Sequence, residues 1–266
     1  MIEKPSAANH HNAGTGRRSL NRDRSLPAWT VMLAAAVLWS ADSDAQTVDT
    51  NRPGFSFTPG IVPSGRWQLE TGIAYDRPDS DSRTISLPLA ELRLGIGDGV
   101  EVFVSSLGWS DVDSGNSSAN GLVDTTLGAK IALGDAGGRA RMALVVQVSA
   151  PIGDDELSSD RWDPSAAFVW TYDGALPLAG TAKVSKFAGG YQLDNGLKLP
   201  FTISDSQSGF IEWEANLPEG GRDAHWLNAG YQLLLSETMQ IDVNAGVGLN
   251  DRAGDYRLGL GFAILF

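Results

Sequence analysis

The chain has 266 residues and no cysteine, and its 32 acidic side chains outnumber its 20 basic ones. An acidic surface does not neutralise phosphates, so no nucleic-acid partner is expected, and the lack of cysteine excludes a disulfide scaffold or a thiolate metal site. No apolar run reaches the roughly 18–20 residues that a membrane-spanning helix requires.

Residues 1–45 have the features of an export signal with an N-terminal extension. Four arginines between residues 17 and 24 precede the apolar run "WTVMLAAAVL", and Ser43 and Ala45 are small residues at the positions that determine cleavage. The mature chain is therefore predicted to begin at Gln46. An N-terminal membrane anchor is the alternative, which the short apolar run disfavours.

Residues 46–66 are rich in proline and show no strand periodicity. Two interpretations are open on composition alone. The segment is either a solvated periplasmic leader or a partial plug of the structure that follows. In the second interpretation the residues that form the plug are Arg52, Pro53, Phe55 and Phe57.

From Trp67 onward, apolar residues recur at every second position, which is typical of β-strands with two different faces. The stretch "MQIDVNAGVGL", for example, alternates apolar residues with Gln240, Asp242 and Asn244. The phase changes near Ala90, which predicts a β-bulge there. The twelve predicted strands span residues 67–75, 84–96, 100–109, 121–133, 140–152, 162–172, 176–187, 196–203, 209–217, 225–235, 239–250 and 255–266.

The connections between these strands alternate between short turns and longer polar loops, the latter at 76–83, 110–120, 153–161, 188–195, 218–224 and 251–254. Short turns at one end, an even strand count and strands of about ten residues are typical of a transmembrane β-barrel. A soluble β-sandwich also alternates, but it needs no aromatic residues at strand ends. Residues 67–266 are therefore predicted to form an all-β, up-and-down antiparallel transmembrane barrel of about twelve strands.

Several stretches of the mature chain resemble outer-membrane transporter proteins of the phenol meta-pathway degradation type. They are "NRPGFSFTPGIVPSGRWQLETGIAY", "DTTLGAKI", "HWLNAGYQLLLSETMQIDVNAGVGL" and the closing strand "YRLGLGFAILF". The resemblance covers Asn51 to Phe266 and implies an outer-membrane location and a transport function, with hydrophobic or aromatic solutes. Phe266 is similar to the C-terminal aromatic residue that bacterial barrel-assembly machinery recognises, and we expect it to be the assembly signal.

Strand parity predicts which charged residues line the lumen. A charged side chain facing lipid at mid-depth costs about 2–4 kcal/mol for Lys or Arg, which favours the inward assignment. The predicted lumen residues are Glu70, Arg93, Glu101, Asp124, Lys130, Arg141, Lys183, Glu212, Glu214, Asp242, Asp255 and Arg257. They either line a wet conduit with a mild cation or neutral-solute preference or pair across the lumen and fill it.

An enzyme is a less favoured class. Asp223 and His225 lie near the loop-bearing end, as do Asp111 and Asp113, and an Asp–His pair there could activate water as a general base. The stretch "HWLNAGY" also fits the transporter-like pattern, and short acidic pairs are common in polar loops. No serine stands two residues after His225, as an outer-membrane phospholipase would require. We expect no enzymatic activity, and the sequence has no metal cluster or nucleotide-binding motif, so no cofactor is predicted.

The function that the sequence and the resemblance favour is passive transport of small molecules through an outer-membrane channel. A structural or adhesin-like surface barrel without an open pore, or a hydrolase at the rim, is the alternative. The expected partners are outer-membrane lipid, the barrel-assembly machinery and a small-molecule solute.

Overall fold

The computed structural model describes residues 47–134 and 138–266, so the predicted signal and Gln46 lie outside the described residues. The described chain forms thirteen strands. They are β1 (Trp67–Asp79), β2 (Ser82–Gly97), β3 (Val100–Asp113), β4 (Ser118–Leu122), β5 (Thr125–Leu133), β6 (Ala140–Ala150), β7 (Asp163–Tyr172), β8 (Leu178–Phe187), β9 (Gly190–Ser204), β10 (Gln207–Pro218), β11 (Ala224–Ser236), β12 (Met239–Gly248) and β13 (Tyr256–Leu265).

The strands close into one antiparallel barrel. Apart from β4 and β5, each strand pairs with its neighbours in sequence, and β1 also pairs with β13, so the sheet returns on itself. The strands β4 and β5 both pair with β3 and together occupy a single position in the wall, with a break at Val123 and Asp124. The prediction of a twelve-stranded up-and-down barrel is therefore confirmed.

The wall has an apolar outer face and a largely polar inner face. On β12, for example, Val243 is exposed to the outside whereas Gln240 and Asp242 are buried in the lumen. Closure pairs every strand except the short β4 on both edges, and such pairing satisfies the backbone in a hydrocarbon environment. None of the described residues forms a helix long and apolar enough to cross a membrane.

The two ends of the barrel differ less than the sequence suggested. At the turn-side end lie residues 98–99, 205–206 and 237–238, together with Trp67 and Phe266, whose backbones pair with each other. The loop-side end carries residues 151–162, 219–223 and 249–255. The predicted long loops at 76–83, 110–120 and 188–195 were wrong. β1 continues to Asp79, β3 continues to Asp113 with β4 beginning at Ser118, and β9 already begins at Gly190.

The predicted bulge near Ala90 is confirmed. The register between β2 and β3 shifts between Leu87 and Ala90 and again between Ala90 and Leu92. The register between β1 and β2 shifts at the same level, between Glu70 and Ala74. Near the middle of β1, β2 and β3 the wall is therefore irregular, whereas the shifts between β9 and β10 and between β11 and β12 lie beside their turns.

Candidate functional site: the lumen and the segment inside it

The inner face of the barrel carries a ring of buried polar side chains at alternate strand positions. The buried members include Gln68, Glu70, Arg93, Glu101, Lys130, Thr181, Asp194, Glu212, Glu214, Asn228, Gln240 and Asp242. Such a set would be costly in lipid, because a buried polar group needs a hydrogen-bond partner and a buried charge needs a counter-charge. The partners come from other lumen side chains and from residues 47–66.

Residues 47–66, called the internal segment below, enter and leave the lumen at the same end. The Val48 amide donates to the Glu237 carbonyl in the β11–β12 turn, and the Gly65 amide donates to the Gly95 carbonyl. Val48 and Val62 pack together with Ala263 and Leu265 in a small apolar cluster. The segment is therefore a loop attached at both ends and not a free tail.

Three buried carboxylates accept hydrogen bonds from the backbone of the internal segment. Glu212 binds the amides of Phe55 and Ser56, both at 2.8 Å. Glu70 binds the amides of Asn51 and Arg52, both at 3.2 Å, and Glu101 binds the amide of Val62 at 2.7 Å. Hydrogen bonds to an ionised carboxylate are stronger than neutral ones, so these acids anchor the segment on several sides of the lumen.

Buried cations bind the carbonyl groups of the same segment. Lys198 Nζ lies 3.3 Å from the Pro53 carbonyl and 3.1 Å from that of Ser56. Arg93 donates to the Asp49 carbonyl at 2.8 Å, and Lys130 Nζ lies 3.2 Å from that of Gly60. Because the segment forms no strand, its backbone groups depend on side-chain partners of this kind.

The same charges are paired with one another along the wall. Arg93 lies 2.7 Å from Glu70 and 2.9 Å from Glu101, and Lys130 lies 3.3 Å from Glu101. These residues occupy β1, β2, β3 and β5, which are consecutive in the barrel, so negative and positive side chains alternate around this part of the wall. Breaking one such buried pair leaves an uncompensated charge and costs about 3–5 kcal/mol.

Small residues in the wall leave room for the side chains of the internal segment. A Cβ atom on either Gly72 or Gly261, which are paired on β1 and β13, would contact the guanidinium of Arg52. A Cβ on Gly196 would contact Ser56 Oγ and lie 2.8 Å from the ring of Phe55. Close packing of this kind predicts that bulky residues at these glycines displace the segment.

One side of the lumen is apolar. Phe103, Val145, Ala167 and Val169 are buried together, and Phe57 of the internal segment packs against them. The Phe57 amide also donates to Thr181 Oγ1 at 3.1 Å. The lumen therefore offers both a charged wall and an apolar wall, and the internal segment contacts both of them.

Cavities lie on both sides of the internal segment. One of about 550 Å³ opens at the turn-side end and is lined by Pro59, Val62 and Arg141. Towards the loop-side end, a cavity of about 260 Å³ is lined by Arg52, Asn244 and Arg257, and one of about 200 Å³ by residues that include Phe57 and Glu91. The latter two share Arg52, Gly54 and Leu89 and are therefore adjacent.

A second group of charges lies beyond the internal segment, nearer the loop-side end. Arg257 pairs with Glu214 and donates to Asn228 Oδ1, and its guanidinium lies 4.4 Å above the ring of Trp226. Trp226, near the start of β11, therefore faces the lumen. Lys183 lies 3.3 Å from Asp194.

The predicted lumen residues do not all have the same surroundings. Arg141 is partly exposed at the turn-side mouth, 3.9 Å from Asp49. Asp124 lies in the break between β4 and β5 and accepts hydrogen bonds from the amides of Gly153 and Ser159. Asp255 precedes β13 and is exposed. These three residues therefore lie near the ends of the barrel, Arg141 at the start of β6 and the other two outside the strands.

Sequence reasoning missed several lumen residues that contact the segment or its partners. Asp194 was missed because the predicted strand began at residue 196. Lys198 lies within that predicted strand but was not assigned to its inner or outer face. Gln68 and Gln240 were missed because only charged residues were assigned, although both donate to the internal segment, to the Asp49 carbonyl and to Thr50 Oγ1 respectively. Strand parity alone would have identified these two.

The geometry around His225 does not favour a hydrolase. Its ring stacks on Trp213 with centroids 5.7 Å apart, and Trp213 is on the exposed outer face of the barrel. Asp223 contributes its backbone carbonyl to Asn250, and Asp113 lies 3.7 Å from Arg83. Within the described residues, no hydrogen bond joins the His225 ring to a carboxylate, and its Nδ1 has no partner.

Comparison with known proteins gives one family and several barrel structures. A family model described as "Putative MetA-pathway of phenol degradation" matches residues 50–266. An outer membrane channel from Pseudomonas putida F1 is 14% identical with a TM-score of 0.61, and the alignment covers 85% of this chain and 100% of that chain. The NanC porin is 8% identical with a TM-score of 0.51, covering 74% of this chain and 98% of that chain. No curated protein gives a significant match. Identities this low show a common fold, that of outer-membrane barrels.

Proposed function

Because the chain belongs to the family described as "Putative MetA-pathway of phenol degradation", we propose that it is an outer-membrane channel for passive diffusion of small molecules. The family match confirms the resemblance seen in the sequence. The family description names phenol degradation, which supports hydrophobic or aromatic compounds as the solutes. The name of the channel from Pseudomonas putida F1 supports the same class of function.

One observation carries this proposal: the interior of the barrel is not a continuous packed core. The internal segment is bound by hydrogen bonds to Glu70, Glu101 and Glu212, and cavities lie on both of its sides. A barrel that served only as a membrane anchor would need neither a polar lumen nor cavities. In this proposal the internal segment is a plug or constriction, and the conduit lies between it and the wall.

Transport in such a channel is driven by the solute gradient. Most charged side chains of the lumen lie within 4 Å of an opposite charge, for example Lys183 beside Asp194 and Arg257 beside Glu214. Neighbouring opposite charges cancel much of each other's field, and salt screens the remainder over about 8–10 Å. Charge selectivity is therefore expected to be weak and to fade at high ionic strength.

The experiment is measurement of conductance in planar bilayers and of solute flux into proteoliposomes. The chain has no cysteine, so the pair Ser56→Cys and Gly196→Cys can connect the internal segment to β9, where a Cβ on Gly196 contacts Ser56 Oγ. If the segment must move during transport, the oxidised variant stops conducting and a reductant restores conductance. Each single cysteine variant is the control and should respond to neither oxidant nor reductant.

A second candidate is a structural or adhesin-like barrel without an open pore. The observation that favours it is the complete burial and pairing of Arg93, Glu101 and Lys130 beneath the internal segment, which would fill a structural barrel equally well. No conductance in the wild type, and none after deletion of residues 47–64, would contradict the channel and favour this candidate.

A further inference from the structure

The last strand of the barrel carries only small residues in the middle of its inner face. The inward positions there are Gly259, Gly261 and Ala263, whereas the outward positions of β13 carry large apolar residues such as Leu260, which is exposed. Strand β13 must pair with β1 to close the barrel. Its inner face therefore offers β1 almost no side-chain surface of its own.

The seam between β1 and β13 has few contacts of its own inside the lumen. In the middle of the seam, Gly72 lies directly opposite Gly261, whereas β8 and β9 are joined there by the ion pair of Lys183 and Asp194. The two seam strands are also the farthest apart in sequence, so bringing them together has the largest entropic cost of any strand pair. Their outward apolar side chains supply little driving force, because lipid tails are equally apolar.

One side chain of the internal segment covers both strands of the seam. A Cβ on Gly72 would lie 2.8 Å from Arg52 Nη2, and a Cβ on Gly261 would collide with Arg52 Nε. The guanidinium also lies 3.5 Å from Asp242 on β12, and the Arg52 amide donates to Glu70 on β1 at 3.2 Å. Arg52 therefore contacts β1, β12 and β13 together.

The residues before Arg52 extend this bridge towards the turn-side end. Val48 is buried in one apolar cluster with Ala263 of β13, and Thr50 Oγ1 accepts a hydrogen bond from Gln240 of β12 at 3.0 Å. Residues 48–52 thus bind the last two strands of the barrel, although they precede the first strand in sequence.

From these contacts we propose that the internal segment is a template for closure of the barrel. The segment is joined to β1, so its binding to β12 and β13 raises the effective concentration of β1 beside its partner strand. Once formed, the seam is held by its ten paired residues. The template therefore accelerates closure and is not required for the closed wall to persist. This role goes beyond the proposed transport function and does not depend on it.

Folding kinetics test the template. The unfolded chain without its predicted signal is diluted from urea into phosphatidylcholine vesicles, and the closed barrel is measured over time by heat-modifiable migration on gels. Val48→Ala removes contacts at the seam. Phe57→Ala removes contacts of the same segment with β3, β6 and β7 and is the matched control. Unfolding rates are measured for the same variants in concentrated denaturant.

Contacts that form before closure affect the folding rate, whereas contacts that form later affect the unfolding rate. We expect Val48→Ala to slow closure about fivefold with little change in its unfolding rate. Phe57→Ala should accelerate unfolding and leave closure unchanged. An effect of Val48→Ala on unfolding alone would overturn the template, because the segment would then enter a barrel that is already closed.

Deletion of residues 47–64 gives an independent measurement. The deletion variant should close more slowly than the wild type, and a synthetic peptide of residues 47–66 present during folding should increase its rate. The same peptide with Val48→Asp and Arg52→Asp is the control and should have no effect. Closure of the deletion variant at the wild-type rate would contradict the proposal, and if this variant does not close at all, the Val48→Ala and Phe57→Ala rates decide. Failure of the channel function would appear as absent conductance, which these rates do not measure.

Discussion

A carboxylate buried in a barrel lumen needs hydrogen-bond donors, and the backbone amides of the internal segment supply them to Glu212. Its two oxygens accept the amides of Phe55 and Ser56, and its counter-charge Lys198 lies 3.8 Å away and binds carbonyls of the same stretch. The site therefore recognises backbone groups of both polarities.

We expect Glu212→Gln to loosen the internal segment. The neutral amide replaces one carboxylate oxygen with a donor, so one of the two amide contacts is lost, and hydrogen bonds to charged groups contribute about 1.5–3 kcal/mol. Hydrogen exchange at Phe55 and Ser56 should speed up, and channel openings in planar bilayers should become more frequent. Glu214→Gln is the matched control, because Glu214 faces the same lumen but pairs with Arg257. Unchanged exchange in Glu212→Gln would mean that other contacts hold the segment.

The carboxylate of Asp124 binds backbone amides of the 151–162 loop at the loop-side end of the barrel. Burial alone would raise its pKa, but the amides of Ser159 and Gly153 and the hydroxyl of Ser158 donate to it and lower its pKa below the ordinary value. A lowered pKa means that the carboxylate stabilises the 151–162 loop at pH values above its ordinary pKa, and that this contribution is lost as the pH falls through the lowered value.

Limited proteolysis in detergent should therefore cleave residues 151–162 faster near pH 2.5 than near pH 7, with an acid-tolerant protease used at both. Asp124→Asn should be cleaved quickly at both pH values, because the amide side chain does not gain the charged hydrogen bonds. If the wild-type loop is equally protected at both pH values, Asp124 does not determine the loop's conformation.

At the scale of the strand, alternation separates positions that differ by one residue. Val243 on β12 is exposed to lipid, whereas Asn244 lines a lumen cavity. Val243→Arg should impair insertion, because an arginine facing lipid at mid-depth costs about 2–4 kcal/mol, and Asn244→Arg should be tolerated. Folded yield and heat-modifiable migration on gels measure the difference. Equal yields for the two variants would contradict the assignment of faces.

The strands could be predicted from sequence because their periodicity reports the environment of each residue directly. The bulge near Ala90 was also visible, since a bulge inverts the phase of the pattern. The last residues of β1, "DRPD", and the first residues of β9, "GYQLDN", were not predicted as strand. Both stretches contain turn-forming residues, which pairing with the neighbouring strand keeps extended. Tertiary pairing overrode local preference at both places.

At the scale of the whole molecule, the position of the internal segment was the feature that the sequence left open. Its prolines predicted the absence of strand structure, but a free leader has the same composition. The outcome depends on partners far away in sequence, such as Glu212 with Phe55 and Gln232 with Arg52. Arg52 fits against Gly72 and Gly261, and no local pattern indicates that those two glycines lie side by side.

The two ends of the barrel determine its orientation in the membrane. An even number of strands brings Trp67 and Phe266 to the same end, where the turn at residues 98–99 also lies and where the internal segment enters. Short turns face the periplasm in bacterial outer-membrane barrels. Ser117, in the β3–β4 turn, lies at the opposite end. Cysteines at Ser117 and Asp98 therefore report the two sides, and Asp98 is preferable to Gly99, whose φ of 78° disfavours a side chain.

On intact cells, an impermeant thiol reagent should label Ser117→Cys and leave Asp98→Cys unlabelled, and both should react after the outer membrane is permeabilised. The reverse pattern would place the internal segment at the cell surface. Solute arriving from outside would then meet the cavity beside Arg141 first, instead of the cavity lined by Arg257 and Asn244. The orientation therefore decides which charged residues a solute contacts before it reaches the internal segment.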